Sequence, residues 1–454
     1  MATPIHDPDP ISPQDPSIKD HKPTKVEKLG KETLPLQSTE KTDIKQLKGK
    51  SAKRLDSDNL KIDDVFEQTV FEPEEFPVSV FMVAMGLSEE ATIEVQGQLD
   101  LAMAFIDSKR EKLIQKAKNS PHGDGILYLR PSDYKQEGKS PPFLLGLKAK
   151  YHAAHIQVNA DGRIFIIPKH PDLKLGKGHF KKVRAAIEYS SPGHTTQIVA
   201  YASMSAKKQS KIAMAKREVD LINKVLEKEP GQEKVIMKVY DERGITKRKV
   251  KTVLPYANLG NLKNIYRNKD LERKERYDLM MSCIDWVSKM HRENIVIADI
   301  KPANFLASLD KEKKITVFVL DLGLSYLADE STVKKQKVGT GLFLAPEVAR
   351  EEILIDGKKA DIYALGLTLY QLNSNKGIPY KDTIPPFAFV RRPAGKRFIC
   401  TRPDRDEYIK SWNAYKPQTP FETSIKQMMH PVPEERPTLE EIQKKIDRLF
   451  TSLL

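Results

Sequence analysis

The chain has little cysteine: Cys283 and Cys400 are the only two in 454 residues. They stand far apart and have no metal-ligand spacing, so neither a disulfide framework nor a zinc site is expected. The expectation is a reducing, cytoplasmic compartment, which for a secreted bacterial effector would be the cytoplasm of its host. Long hydrophobic runs are also missing. The most apolar stretch, residues 76–87, is shorter than the ~20 residues that a membrane-spanning helix needs. The polar, proline-bearing N-terminus does not read as a secretory signal. Residues 1–60 contain no aromatic side chain and many Pro, Lys, Asp and Ser. Such a segment cannot bury enough apolar area to offset ordering entropy, and a disordered tail is expected there.

What is plentiful is lysine. Seventy-six basic residues against 62 acidic ones give a formal charge of +14. This balance favours acidic partners and phosphates, although a solvated lysine-rich surface gives the same number. No nucleic-acid-binding motif accompanies the charge, so a nucleic-acid partner is not expected. The length leaves room for two or three domains.

The most informative stretch is 294–323, NIVIADIKPANFLASLDKEKKITVFVLDLG. It gathers Asp299, Lys301 and Asn304 within six residues on an expected loop. Asp321 follows an apolar run, 315–320, that reads as a buried strand ending at Gly323. A carboxylate to orient a hydroxyl, a cation beside a phosphate and oxygen ligands for magnesium are what phosphoryl transfer requires.

These residues resemble the catalytic and metal loops of eukaryotic-type protein kinases. The run Asp299-Ile-Lys301-Pro-Ala-Asn304 matches D-x-K-x-x-N, and Asp321-Leu-Gly matches D-F-G with leucine for the aromatic. Further matches follow in order from about 173 to 449. Leu175 to Val183 is similar to the glycine-rich turn, with Gly176 and Gly178 letting amides approach phosphate oxygens. Glu218, on an expected helix over 211–228, falls where the family's helix glutamate stands. Leu254-Pro-Tyr-Ala257 resembles the hinge against which adenine lies, with Leu254 as gatekeeper, and Val183 and Ala200 as further nucleotide contacts. VGTGLFLAPE, ending at Glu347, is close to the end of an activation segment. Its Thr340 is expected beside Asp299 and Lys301. Asp361-Ile-Tyr-Ala-Leu-Gly366 matches the central helix motif. Arg436 is expected to pair with Glu347, and a closing helix over 439–449 ends the domain.

The resemblance implies a bilobal α+β fold, with a β-rich small lobe and a helical large lobe over 170–454. It implies a Ser/Thr protein kinase that uses ATP and Mg²⁺ on protein substrates. In it, Asp299 orients the substrate hydroxyl, Lys301 steadies the phosphoryl group, and Asn304 and Asp321 hold the metal.

Three departures matter. The strand lysine of V-A-x-K is Ala202 here. Lys181 is the candidate replacement, as in with-no-lysine kinases, which place their lysine in G-x-G-x-F-K-x-V; Glu218 would then orient Lys181. Lys182 should face the other side of the strand, and Lys207 and Lys208 are more remote candidates. The third glycine of the turn is absent. Finally, Ile297-Ala298 stands where the family has His-Arg, so no arginine precedes Asp299 to pair with a phosphorylated activation segment. Activity independent of phosphorylation at Ser325, Ser331 or Thr332 is therefore expected. The alternatives are a pseudokinase scaffold and a phosphotyrosine-binding adaptor.

Residues 61–165 read as a separate α+β module. Ser88 begins an expected helix to 119, with Ile93, Leu99, Leu101, Ala104, Phe105 and Leu113 at helical spacing. Strands are expected at 125–130, 143–148, 152–158 and 163–167, the last two joined around Asn159-Ala-Asp-Gly162. Arg130 on a strand, followed by Ser132, resembles an SH2-type module, which would give a phosphotyrosine ligand through Arg130. The plainer alternative is an extension packed on the small lobe. The cluster Arg391, Arg392, Lys396 and Arg397 would read acidic substrates or form a solvated loop.

Overall fold

The computed structural model describes residues 78–451 apart from 121–124, 135–152, 178–180, 192–193, 207–208, 229–235, 242–247, 268–270, 311–312, 320, 329–338, 341–342, 351–354, 374–389, 392–398 and 401–404. All of them belong to the compact unit Ala52–Leu454. The expected tail 1–60, the expected strand 143–148, Gly178, Lys207, Lys208, Ser331 and Thr332 lie outside the described residues, as do Arg392, Lys396 and Arg397.

The described residues open with a short helix α1 (Val78–Ala84) and the long α2 (Glu89–Lys118). Ser88 caps α2 by accepting from the Ala91 amide at 3.2 Å. Glu89 and Glu90 in the first turn and Lys116 and Lys118 in the last complement the helix dipole. Its buried stripe is Val95, Leu99, Ala102, Ile106 and Leu113. Ile93 and Ala104 lie off this stripe, and Ile93 is 47% exposed. Four described elements follow: β1 (Ile126–Leu129), α3 (Pro131–Tyr134), β2 (His155–Asn159) and β3 (Ile164–Ile167). Gly162 turns the β2–β3 hairpin at φ 92°, a left-handed conformation that suits glycine.

The strands of the small lobe are β4 (Lys174–Lys177), β5 (Lys181–Ser191), β6 (His194–Ala206), β7 (Ile236–Asp241) and β8 (Arg248–Pro255); α4 (Gln209–Leu226) lies between β6 and β7. One sheet runs β1-β2-β3-β5-β6-β8-β7, with β4 also on β5. Thus β3 and β4 share one edge of β5: Phe165 and Ile166 pair with Glu188 and Ile187, and Gly176 pairs with Val183. The strands before residue 168 and those of the small lobe are one continuous sheet.

Alternation along the strands gives this sheet two faces. On one, Ile156, Val158, Ile166, Ile187 and Tyr189 pack under the buried stripe of α2. Further along the same face, Ala200, Ala202 and Leu254 join a large core that runs through α4 into the helices below. The opposite face carries a smaller cluster of Phe165, Ile167, Ala186, Val199, Tyr201 and Val253.

The large lobe contains β9 (Gly260–Asn261), α5 (Leu262–Arg267), α6 (Arg273–Arg292), β10 (Ile295–Val296), β11 (Phe305–Leu309), β12 (Ile315–Val319), β13 (Tyr326–Leu327), α7 (Pro346–Arg350) and α8 (Gly357–Asn373). After the two short strands β14 (Val390–Arg391) and β15 (Ile399–Cys400) come α9 (Arg405–Ala414), α10 (Pro420–Met428) and α11 (Leu439–Thr451). The core side chains of α6 are Leu279, Met280, Cys283, Ile284, Trp286, Val287 and Met290. Burial pushes the Cys283 thiol well above its ordinary range, so it stays protonated and inert. Helix α8 is buried on nearly every side. A Cβ on its Gly366 would lie 2.8 Å from Met429 Cγ, so glycine here lets α10 pack close. Among the described residues no helix is long and apolar enough to cross a membrane.

Candidate active site

The catalytic loop begins where β10 ends. Ile297 is fully buried in the large core, and the next residue, Ala298, takes φ 64°. A left-handed alanine costs free energy unless its surroundings hold it. Asp361, two-percent exposed on α8, does so. Its Oδ2 accepts from the Ile297 amide at 2.7 Å and its Oδ1 from the Ala298 amide at 2.9 Å. His291, at the end of α6, puts Nε2 3.0 Å from the same Oδ2. Sequence reasoning left His291 without a role. Its one signal was position, a histidine at a helix end just before a loop that itself lacks histidine.

Beyond Ala298 the polar residues converge. Lys301 Nζ donates to Asp299 Oδ2 and to Thr340 Oγ1, both at 2.6 Å. Thr340 Oγ1 donates to Asp299 Oδ1 at 2.6 Å. Asn304 Nδ2 donates to the Asp299 carbonyl and to Oδ2, each at 2.9 Å. Asp299 therefore lies in a net of three partners, and Thr340 stands where the sequence placed it. With its amide nitrogen engaged, Asn304 has Oδ1 as the atom that could ligate a metal. Asp321 is exposed, while Leu322 beside it is buried in the same core as Ile297. One carboxylate and one amide oxygen, with no cluster of three metal-binding side chains among the described residues, suit Mg²⁺. That ion keeps waters and is completed by substrate phosphates. The residues present fit the group.

Above this loop, Val183, Ala200 and Leu254 belong to or pack on the large core, and so does Ala257. Pro255 ends β8 opposite Val199 and is half-buried. Gly176 has no atom within 4 Å of where a Cβ would stand. Glu218 is two-percent exposed, and it lines a void of about 10 Å³ together with Ala202, the position without the lysine. Lys181 opens β5 opposite Met204. In register it is in phase with Val183 and Ala185, and Lys182 with Arg184. At the end of α4, Lys224 donates to the Glu293 carbonyl at 3.1 Å and Lys228 to its carboxylate. The Lys228 hydrogen bond holds the Glu293 carboxyl below its usual range. This clasp fixes the helix of Glu218 against the segment leading into the catalytic loop.

The segment after Asp321 corrects one expectation. Ser325 was grouped with candidate phosphorylation positions. It is buried, and its hydroxyl donates to the Ile297 carbonyl at 2.9 Å, so it braces the catalytic loop from beneath. Further on, Gly339 has φ 122°, and a Cβ there would stand 2.8 Å from the Ala298 carbonyl oxygen. Arg436 and Glu347 form the expected pair, buried and bidentate at 2.7 and 2.8 Å. Arg436 also donates to the carbonyls of His430 and Lys359. The pair is structural, and removing either partner alone should cost about 3–5 kcal/mol.

A strand-rich lobe joined to a helical lobe that presents Asp299, Lys301 and Asn304 is the architecture of a phosphotransferase. The family model for the protein kinase domain matches residues 170–446, more than half of the chain. The chain belongs to the protein kinase family. It is 27% identical over 257 residues to a putative serine/threonine-protein kinase of Acanthamoeba polyphaga mimivirus, covering 48% of this chain and 86% of that one. It is 29% identical over 242 residues to calcium-dependent protein kinase 31 of Arabidopsis thaliana, covering 52% of this chain and 45% of the relative. A probable serine/threonine-protein kinase of Dictyostelium discoideum is 29% identical over 203 residues, 44% of this chain and 28% of that protein. The chain thus spans under half the length of the last two. Its kinship is with the serine/threonine class.

Proposed function

We propose that this chain transfers the γ-phosphoryl group of ATP, with Mg²⁺, to serine or threonine hydroxyls of protein substrates. The observation that carries the reading is the joined set Asp299, Lys301, Asn304 and Thr340. Asp299 orients the hydroxyl and accepts its proton as the oxygen attacks. Lys301 neutralises charge on the phosphoryl group in flight. Asn304 and Asp321 would hold Mg²⁺, which supplies charge neutralisation between the phosphates. Lys181 grips the nucleotide phosphates in place of a lysine at 202, and Glu218 orients it. The parity of β5 supports this, since position 181 shares the phase of Val183 and Ala185. Gly176 and Gly178 cradle phosphate oxygens, and Leu254, Pro255 and Ala257 receive the base. Ala298 supplies no arginine, so the reaction proceeds without activation-segment phosphorylation.

The domain reading that goes with this is a tail over 1–60, a module over 61–165 and a kinase domain over 170–454. The compartment is cytoplasmic, in keeping with a buried free thiol at Cys283.

The alternative is a pseudokinase scaffold, which the small void and alanine at position 202 favour. One assay separates the two: [γ-³²P]ATP transfer to a protein substrate by wild type, Lys181→Met and Asp321→Ala. The kinase reading expects transfer by wild type and loss in both variants. Transfer that survives Lys181→Met refutes the relocated lysine. No transfer, with no nucleotide-induced thermal shift, refutes the enzyme.

A further inference from the structure

We propose that the outward face of the small-lobe sheet binds a compact, multiply phosphorylated small molecule. The site lies on the far side of β5 and β6 from the nucleotide face and stands independently of the kinase reading.

A cavity of about 300 Å³ opens on that face. Five cations line it: Arg130 after β1, Lys169 after β3, Lys182 and Arg184 on β5, and Lys251 on β8. Strand register assembles three of its residues. Lys182 stands opposite Ser203, and Ser203 opposite Lys251, so one row across three strands reads lysine, serine, lysine. Cations gathered on one sheet face repel one another, a cost that folding alone gives no reason to accept. No carboxylate is among the described residues lining the cavity. On the same face but outside it, Arg163 is matched by Glu188 through bonds of 2.6 and 2.8 Å. The described lining of the cavity is thus rich in cations, with Tyr128, His155, Tyr201 and Ser203 set between them.

The walls are ordered by other bonds. Arg184 Nη1 donates to the His170 carbonyl at 3.0 Å, which orients its guanidinium. Tyr128 Oη lies 2.7 Å from His155 Nδ1. The Lys251 ammonium stands over the rings of Tyr128 and Tyr201, at 5.7 and 5.4 Å. Cation–π contact helps to hold that charge in place.

Size and charge define the ligand class. A volume of about 300 Å³ is at the small end of pockets that hold low-molecular-weight ligands. A phosphomonoester carries about −1.5 to −2 at neutral pH, so five cations match two or three such groups. Arginine and lysine together suit phosphate oxygens, the first by forked donors and the second as a point charge.

The test uses the full chain and myo-inositol 1,4,5-trisphosphate as probe, titrated calorimetrically without magnesium. The expectation is saturable one-to-one binding that weakens steeply with salt. Lys182→Ala, at an exposed position, should lower affinity about tenfold or more, as loss of a charge-assisted bond implies, and Lys182→Ala with Arg130→Ala should abolish binding. Lys112→Ala on the exposed side of α2 and Asp321→Ala in the catalytic cleft should bind as wild type does. Unliganded melting temperatures should match, which separates lost binding from lost fold. No binding, or binding indifferent to Lys182 and Arg130, overturns the proposal. So does binding that disappears with Asp321→Ala. Capture of a phosphotyrosine peptide but not the trisphosphate overturns it in favour of peptide recognition. Binding only to vesicles carrying phosphorylated inositol lipid overturns it in favour of membrane docking.

Discussion

Replacing Asp361 by asparagine keeps shape and volume while changing one acceptor oxygen into a donor. The wild-type carboxylate accepts from Ala298 through Oδ1, and from Ile297 with His291 alongside through Oδ2. An amide turned either way sets its NH₂ against one of the two backbone N–H groups. A buried donor that loses its acceptor costs about 1–3 kcal/mol. The strain of Ala298 at φ 64° then loses its restraint, so relaxation of the loop is favoured. At about 2–4 °C per kcal/mol, Asp361→Asn should melt roughly 2–12 °C below wild type by near-UV circular dichroism. Asp299 lies one residue beyond Ala298, and a misplacement of about 1 Å in a reacting group can cost about 100-fold in rate. The variant should therefore transfer phosphate far more slowly even well below its melting temperature. An asparagine variant that melts with wild type and transfers at full rate would refute the idea that this carboxylate sets the loop. A lowered melting point with an unchanged rate would confine Asp361 to stability.

Three further outcomes are expected. Gly339→Ala, whose Cβ would meet the Ala298 oxygen at 2.8 Å with φ 122°, should lose about 1–3 kcal/mol and most of its transfer rate, checked by thermal melting and the same assay. Ser331→Ala with Thr332→Ala should leave the rate within about twofold, whereas Ser325→Ala should destabilise by about 1–3 kcal/mol because the Ile297 carbonyl loses its buried donor; urea unfolding and initial rates separate the two. Burial holds His430 below the ordinary histidine pKa of about 6.5. The unfolded chain thus takes up a proton first as pH falls through that value. Stability should be level above it and decline from there down to the lowered folded pKa, and His430→Gln should flatten that part of a melting-temperature profile.

The catalytic set was legible because its members are close in sequence and their spacing is fixed by one loop. Asp299, Lys301 and Asn304 could be read together, and the order of later motifs brought in Thr340, Asp361 and the Glu347–Arg436 pair. The helix starting at Ser88 was legible from its cap, but its buried side was only partly so. Two apolar stripes compete along α2, and the sheet beneath chooses the one with Val95 and Ile106 over the one with Ile93 and Ala104. Long-range pairing was not legible. Nothing local to Ile166 or Ile187 says that they are partners, since strand pairing depends on the path of the chain between them. The role of Ser325 was hidden for the same reason: its acceptor is 28 residues away and belongs to the backbone, which carries no sequence signature. The outward cavity draws its cations from positions 130, 169, 182, 184 and 251, a scatter that no short motif captures.

The pairing of β3 with β5 bears on how this protein can be cut for laboratory use. Residue 170, where the family match begins, falls just past the end of β3. A fragment started there would uncover the backbone donors and acceptors of β5 near Ile187 and Glu188. It would also strip α2 from Ala185, Ile187, Tyr189 and Ile198. An open strand edge beside a bare apolar face invites another copy to complete it, so such a fragment should precipitate or self-associate. A gene fragment that starts ahead of Val78 keeps the edge closed and the face covered.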